Sequence, residues 1–588
     1  MVENFLVYGM IMTCKERILS NDYADGVVDF PVAELITEES DACFISLDDR
    51  YSVVYQNRSL VPDLSESIYQ YRYVPHLYGQ MQIGGGSGIG PGENGGTFSG
   101  SQAPFDPTFL VESGIRQLQG PPLNLTGRGV VIAIIDSGID YRNPAFLDEA
   151  GNSRILAIWD QTDQTGTPPE GYVFGSQYTR EDINRALQAE DPFSVVPVRD
   201  ESLHGTIMAG IAAGSRVEGG TVYLGAAPEA DIVIVKLKEA KAYLRDYYFV
   251  PGNVTAYQES DIMLGVKYAD SFGISFGRPV VICLGIGTNM GDHAGNSMLA
   301  QYLNRIAEKR SRAVVVCGGN EGNARHHYMG ESSQDVEIRV GEGDRGFFLE
   351  FWGAQPSTFN VAVRSPGGET IPPIRLGLEQ TNTYRFVFED TVFTIQSVLV
   401  EPGAGEELII FRVENPTPGI WTFRVFPVGE FAQGVFHMWL PIRAFQSGDT
   451  YFLEPEPDIT LTEPAMASSV ISVSTYNYQN NSFYLESGRG FSRVGSIKPD
   501  FAAPGVNIPT LYGVRTGSSL AAAVTTGGVA QFLQWAVVER NSPLASSREV
   551  KNYFIKGAVR MPDEGYPNRE WGYGRLNVLG AFEVLRDG

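Results

Sequence analysis

Three residues far apart in the chain are of the types that together could cut an amide bond. Ser519 stands in RTGSSLAAAVTTGG, residues 515–528, where a glycine turn runs into a small-residue helix. A serine at a helix start ordinarily caps free backbone N–H groups and does nothing else. It becomes a nucleophile when a base takes its proton and a third group holds that base in the right tautomer. His204, in LHGTIMAG at another helix start, and Asp136, at the end of the apolar run in VVIAIIDSGID, are the residue types that supply both. Each has an ordinary reading when taken singly, a turn-capping aspartate or a histidine satisfied in a core. Acyl transfer also needs donors for the developing oxyanion. Asn320, in the glycine-flanked turn of VVVCGGNEGN, offers a side-chain N–H to act with the backbone N–H of Ser519.

These residues must be positioned by the elements around them. From about 104 to 330 the runs GVVIAIID, ADIVIVKLK, PVVICLGIG and RAVVVCGGN alternate with HGTIMAGIAAGS, SDIMLGVKYADSFG and SMLAQYLNRIAEKR. Unbroken β-branched runs alternating with helical segments predict an α/β domain, a parallel sheet with helices on both faces. Open sheets of this kind bind ligands beyond the C-terminal ends of their strands, where Asp136 and Asn320 fall. Between 331 and 457 the texture changes to short alternating strands such as DVEIRVGEG, GFFLEFWG and GIWTFRVFPV, bounded by Gly, Pro, Asn and Asp. That pattern predicts an inserted β-sandwich, jelly-roll-like. Its aromatics exceed what a small two-sheet core requires, so part of its surface is expected to pack on the α/β domain. The α/β texture returns over 458–588. Residues 1–80 read as a small α/β unit. Residues 81–103, with IGGGSGIGPGENGGTFSG, read as a glycine-rich linker, since no GKS or GKT follows to make a phosphate loop.

The order Asp136, His204, Asn320, Ser519, with IIDSGID, HGTIMAGIAAG, GGNEGN and GSSLAAA around them, resembles the subtilisin-like serine peptidases, the subtilases of family S8. IKPDFAAPG, residues 497–505, matches the stretch before the serine in that family. Two positions depart from its usual pattern: Ser518 stands for a threonine and keeps the hydroxyl, and Ala523 stands for a proline. The resemblance implies a serine endopeptidase with Asp136, His204 and Ser519 as the triad and Asn320 in the oxyanion hole. It also implies that segments around Leu284–Gly285 and Gly318–Gly319 flank the substrate as antiparallel strands and line its P1 pocket. GSRVEGGTVYLGAAP lacks the asparagine-rich pattern of the family's calcium loop, so that metal site is not expected, and no cofactor is implied. Residues 1–80 then correspond to a prodomain whose last strand, in YVPHLYGQ, enters the cleft and stays bound non-covalently after cleavage. Self-cleavage is expected between Tyr78 and Met81, first at Gln80–Met81, with Tyr78–Gly79 as the competing bond. The whole architecture is similar to the clostridial Csp-type proteases, which implies activation of a spore-cortex hydrolase precursor during germination. The rival class is a non-catalytic relative that binds a partner or small molecule, or else a subtilase with another bacterial protein substrate. An intact triad separates the enzyme from the pseudoprotease.

Composition narrows the partners to proteins and peptides. The net charge of −25 opposes nucleic acid and anionic membrane surfaces. Four cysteines in 588 residues make no disulfide scaffold, and Cys283 and Cys317 sit in apolar strand runs as buried thiols. The six histidines show no metal-ligand spacing. MVENFLVYGMIMTCKERILS lacks the basic start and cleavage site of a secretory signal, so cytoplasmic synthesis is expected, with spore association implied by the Csp-type likeness.

Overall fold

The computed structural model describes residues 12–30, 32, 41–60, 73–81, 84–85, 106–217, 223–374, 379–429 and 434–587. Its centre is a nine-stranded sheet. Seven parallel strands run across it in the order Phe501–Pro504, Ile471–Asn477, Arg312–Cys317, Val280–Leu284, Val131–Asp136, Asp231–Lys236 and Ile155–Asp160. Two short antiparallel strands, Ser176–Thr179 and Ser482–Phe483, lie beside them. Strand side chains alternate between the faces, and the β-branched runs divide accordingly. Ile132, Ile134, Val281, Cys283, Ala313 and Val315 face one core, with Met208 and Leu520 of the helices His204–Ala213 and Ser518–Leu533. Val131, Ala133, Ile135, Ile282, Val314 and Val316 face the other, with the helices Glu259–Phe276 and Met298–Ala307. The unbroken apolar reading of these strands therefore corresponds to burial on both faces.

The insertion is a sandwich of a six-stranded and a five-stranded antiparallel sheet around one aromatic-rich core. Its first strand, His327–Glu331, starts four residues ahead of the expected boundary, and its last is Tyr451–Phe452. The N-terminal unit has the helix Cys14–Leu19 and a three-stranded antiparallel sheet ordered Tyr23–Val28, Ser52–Asn57, Ala42–Ser46. Its Ile18, Val27, Val53 and Tyr55 join the core formed by the Glu259–Phe276 helix. Composition did not suggest the disulfide that closes it, Cys14–Cys43. The free thiols Cys283 and Cys317 are buried. The expected linker begins otherwise than as a linker, because Gly84–Gly85 form a strand against Arg515 and Thr516. Residues 86–103 lie outside the described residues.

Candidate active site

Asp136 ends its strand at the C-terminal edge of the sheet, and the backbone N–H of Ser137 donates to its Oδ1 at 2.7 Å. His204 opens its helix with Nδ1 2.8 Å from the same Oδ1, and its Nε2 lies 3.1 Å from Ser519 Oγ. The three side chains thus form one chain of contacts, although 315 residues separate histidine from serine. Ser519 is the second residue of Ser518–Leu533, a helix buried along its length beneath the sheet. Burial pulls the His204 imidazolium down. The charge and hydrogen bond of Asp136 more than offset this, so its pKa lies above the ordinary histidine value. The Asp200 charge and a hydrogen bond with the Met81 backbone act in the same direction.

Asn320 follows Arg312–Cys317 across the two glycines, and its Oδ1 accepts the Ser518 N–H at 3.0 Å. The four residues singled out from the sequence as the chemical centre therefore converge on one point.

Leu77–Gln80 lies across that point as a strand. It pairs antiparallel with Ala256–Gln258 on one side and with Ile286–Gly287 on the other. Met81 continues it, donating its N–H to the Gly285 carbonyl at 3.3 Å. Past Met81, Gly84–Gly85 pair with Gly513–Thr516, the strand leading into Ser519. The described stretches 77–81 and 84–85 thus pair with strands on different sides of the nucleophile, and Ser519 is 0% exposed.

Two expectations are corrected by this geometry. The residue whose backbone meets His204 is Met81 rather than Gln80. Gln80 sits one position back, its Nε2 donating to Asp136 Oδ1 (3.2 Å), Ser202 Oγ (3.2 Å) and the Tyr257 hydroxyl (3.4 Å). The physical reason is register. With Gly79 opposite Gly287 and Gln80 opposite Ile286, the next residue falls opposite Gly285 beside the triad. The second correction concerns one of the two flanking segments, since the one around Leu284–Gly285 does lie beside the strand and the Gly318–Gly319 one does not pair with it. Leu284 is buried in the sheet, and Gly318–Gly319 do not pair with the segment; Ile286–Gly287 and Ala256–Gln258 do. Gly285 makes the bond to Met81, and it must be glycine because a Cβ there would collide with Met208 and lie 3.0 Å from His204 Cε1. Gly318 and Gly319 lie against Thr462. A Cβ on Gly319 would lie 2.5 Å from Thr462 Cγ2, and the Thr462 N–H donates to the Gly318 carbonyl at 3.1 Å.

Thr462 also abuts Gly287, which a Cβ would bring to 3.3 Å from Met81 Cε. Thr462 and the unbranched Met81 side chain thus lie on the same side of Gly287. Sequence reasoning missed Thr462, Ser202 and Tyr257, since TLTEP, ESLHG and AYQES carry no motif that marks them.

The arrangement is that of a serine peptidase of the subtilisin class. The subtilase family profile matches residues 127–344 and 449–574, and the chain belongs to that family. More narrowly it is similar to the CspB protease of Clostridium perfringens, at 32% identity and a TM-score of 0.72, covering 82% of this chain and 97% of that one. MycP1 from the ESX-1 type VII secretion system matches at 15% identity and a TM-score of 0.38, covering 86% of this chain and 90% of that one. The prenylagaramide maturation protease PagA matches at 14% identity and a TM-score of 0.37, covering 80% and 98%.

Proposed function

We propose that the chain is a self-processing serine endopeptidase whose first substrate is its own segment 77–85. Ser519 Oγ attacks the Met81 carbonyl while His204 Nε2 takes its proton. The same imidazolium then protonates the leaving nitrogen of Gln82, and water releases the acyl group by the reverse sequence. Asp136 holds Nδ1 and stabilises the charged ring. The Asn320 amide and the Ser519 N–H receive the oxyanion. The observation that carries this reading is the seating of the segment, paired on both sides of the serine with the Met81 N–H on Gly285. The scissile bond in this reading is Met81–Gln82, one residue beyond the bond expected from the sequence.

After cleavage the prodomain stays seated and covers Ser519. Its anchor is the buried pair Lys241 Nζ–Asp25 Oδ1 at 2.5 Å, with Gln258 also bonded to Asp25 and Arg305 to Asp48 at 2.7 Å. A fluorophosphonate is therefore expected to label Ser519 slowly in the wild type and faster in Asp25→Ala. Labelling of another residue, or none in either protein, would remove the nucleophile assignment.

The likeness to the CspB protease supports a protein substrate in trans, and the Csp-type resemblance favours the precursor of a spore-cortex hydrolase as that substrate. Mixing Asp25→Ala with that precursor from the same organism is expected to give single-site conversion, absent when Ser519→Ala is added. A precursor left intact while a peptide copy of residues 77–85 is cut would assign the enzyme another substrate.

A further inference from the structure

The strand threading the cleft has a glycine at its centre, and backbone conformation does not demand it. Gly79 is extended, pairing with Ala256 and Gly287, so space alone decides what can stand there. A Cβ on Gly79 would lie 2.6 Å from Ile442 Cδ1 and 3.3 and 3.4 Å from Phe445 Cε1 and Cζ. Both residues belong to the inserted region, just after its strand Val435–Trp439. Ile442 Cδ1 is the end of a side chain and would swing aside in open space. Here Ile442 is 1% exposed and Phe445 3%, so it must move into packed neighbours. The backbone carrying them is fastened beside the oxyanion loop. The Arg443 N–H donates to Glu321 Oε2 at 3.1 Å, Arg443 Nη2 to Asn323 at 3.0 Å, and Asn289 Nδ2 to the Leu440 carbonyl at 3.2 Å. The roof cannot lift without releasing the residues that flank Asn320.

We infer that Ile442 and Phe445 are specificity-determining residues, through which the insertion admits only glycine at the third position before the scissile bond. The inference rests on the peptidase reading and names its substrate class: extended protein segments with glycine two residues before the one whose carbonyl is attacked. One excess methyl in a closed site costs about tenfold in population of the seated strand, and a branched side chain about a hundredfold or more.

The test uses the full chain in two readouts. Self-cleavage is followed by mass for wild type, Gly79→Ala and Gly79→Val. The same changes in a Ser519→Ala background are followed by nicking near residue 82 with an added non-specific protease, which reads seating without catalysis. Self-cleavage should slow about tenfold for Ala and a hundredfold or more for Val, with nicking rising in parallel. Ile442→Val, which deletes only the colliding Cδ1, should restore Gly79→Ala in both readouts, showing that the defect is steric rather than a failure to fold. Gly79→Val that is cut and protected like wild type would overturn the gate. So would Gly79→Ala slowed equally with and without Ile442→Val. If the wild type is never cut yet protection follows the predicted pattern, the gate stands and the self-processing reading falls.

Discussion

The prodomain and the inserted sandwich both press on the same catalytic domain, yet they are held by different chemistry. The sandwich is joined through aromatic packing. Trp439 stacks on His293 (ring centroids 4.2 Å apart), and Phe348 packs on Tyr247 and Tyr248. Arg412 covers the Phe249 ring, and Glu350 accepts the Gly291 N–H. The N-terminal unit adds buried polar contacts centred on Asp25 and Lys241, and a strand seated in the cleft, to the apolar contact of Ile18, Val27, Val53 and Tyr55. The sandwich also has an ion pair, Arg493–Glu406, but its rings add an apolar seam that tolerates partial loss. A buried ion pair does not, because removing one partner strands the other charge. In the self-processing reading, the insertion is the permanent wall of the cleft and the N-terminal unit the removable one.

The largest expected effect separates chemistry from both interfaces. Ser519→Ala should lower peptide hydrolysis by about 10⁴- to 10⁶-fold while leaving both attachments in place, checked by kinetics and by an unchanged melting profile. Next comes the prodomain anchor. Lys241→Ala strands Asp25, so retention of the cleaved prodomain should weaken by about 3–5 kcal/mol, read as dissociation on gel filtration. Retention unchanged would mean that the strand and the apolar packing of Ile18, Val27, Val53 and Tyr55 hold the prodomain without the ion pair. A smaller effect is expected from replacing Cys14 and Cys43 together by alanine. The bridge closes a loop spanning 29 residues. Its loss should destabilise the prodomain by about 3 kcal/mol and leave the insertion untouched, as hydrogen exchange over residues 42–57 and 435–452 would resolve.

The pH response is the finest probe. His204 must be neutral to accept the Ser519 proton, and its pKa is raised by Asp136 against the opposing effect of burial. Self-cleavage should therefore rise with pH along a limb above the ordinary histidine value of about 6.5, and be lost as pH falls through it. In Asp136→Asn the limb should move to lower pH as the residual rate drops. A limb unmoved by that change would assign it to another group.

Much of this was legible in the chain. VVIAIID, VVICLGIG and AVVVCGGN read as strands because both faces of the sheet are covered, so no polar residue interrupts them. The glycines and polar residues at their ends marked the site, since Asp136 follows Ile135 directly and Asn320 follows Cys317 across two glycines. The pairing register of Leu77–Gln80 was not legible. YGQM carries no internal signal for which residue stops at the serine; the partners Gly285 and Gly287 fix it, more than 200 residues away. Thr462 and Ile442 were hidden for the same reason, because each matters only through what folds against it.

The central claim is that Ser519 cuts the strand lying across it, and the intact masses of freshly synthesised wild type and Ser519→Ala test it most directly. Wild type should resolve into a fragment ending at Met81 and one beginning at Gln82, eluting together, while Ser519→Ala stays a single chain. A single uncut chain in both proteins, or the same cut in Ser519→Ala, would contradict it.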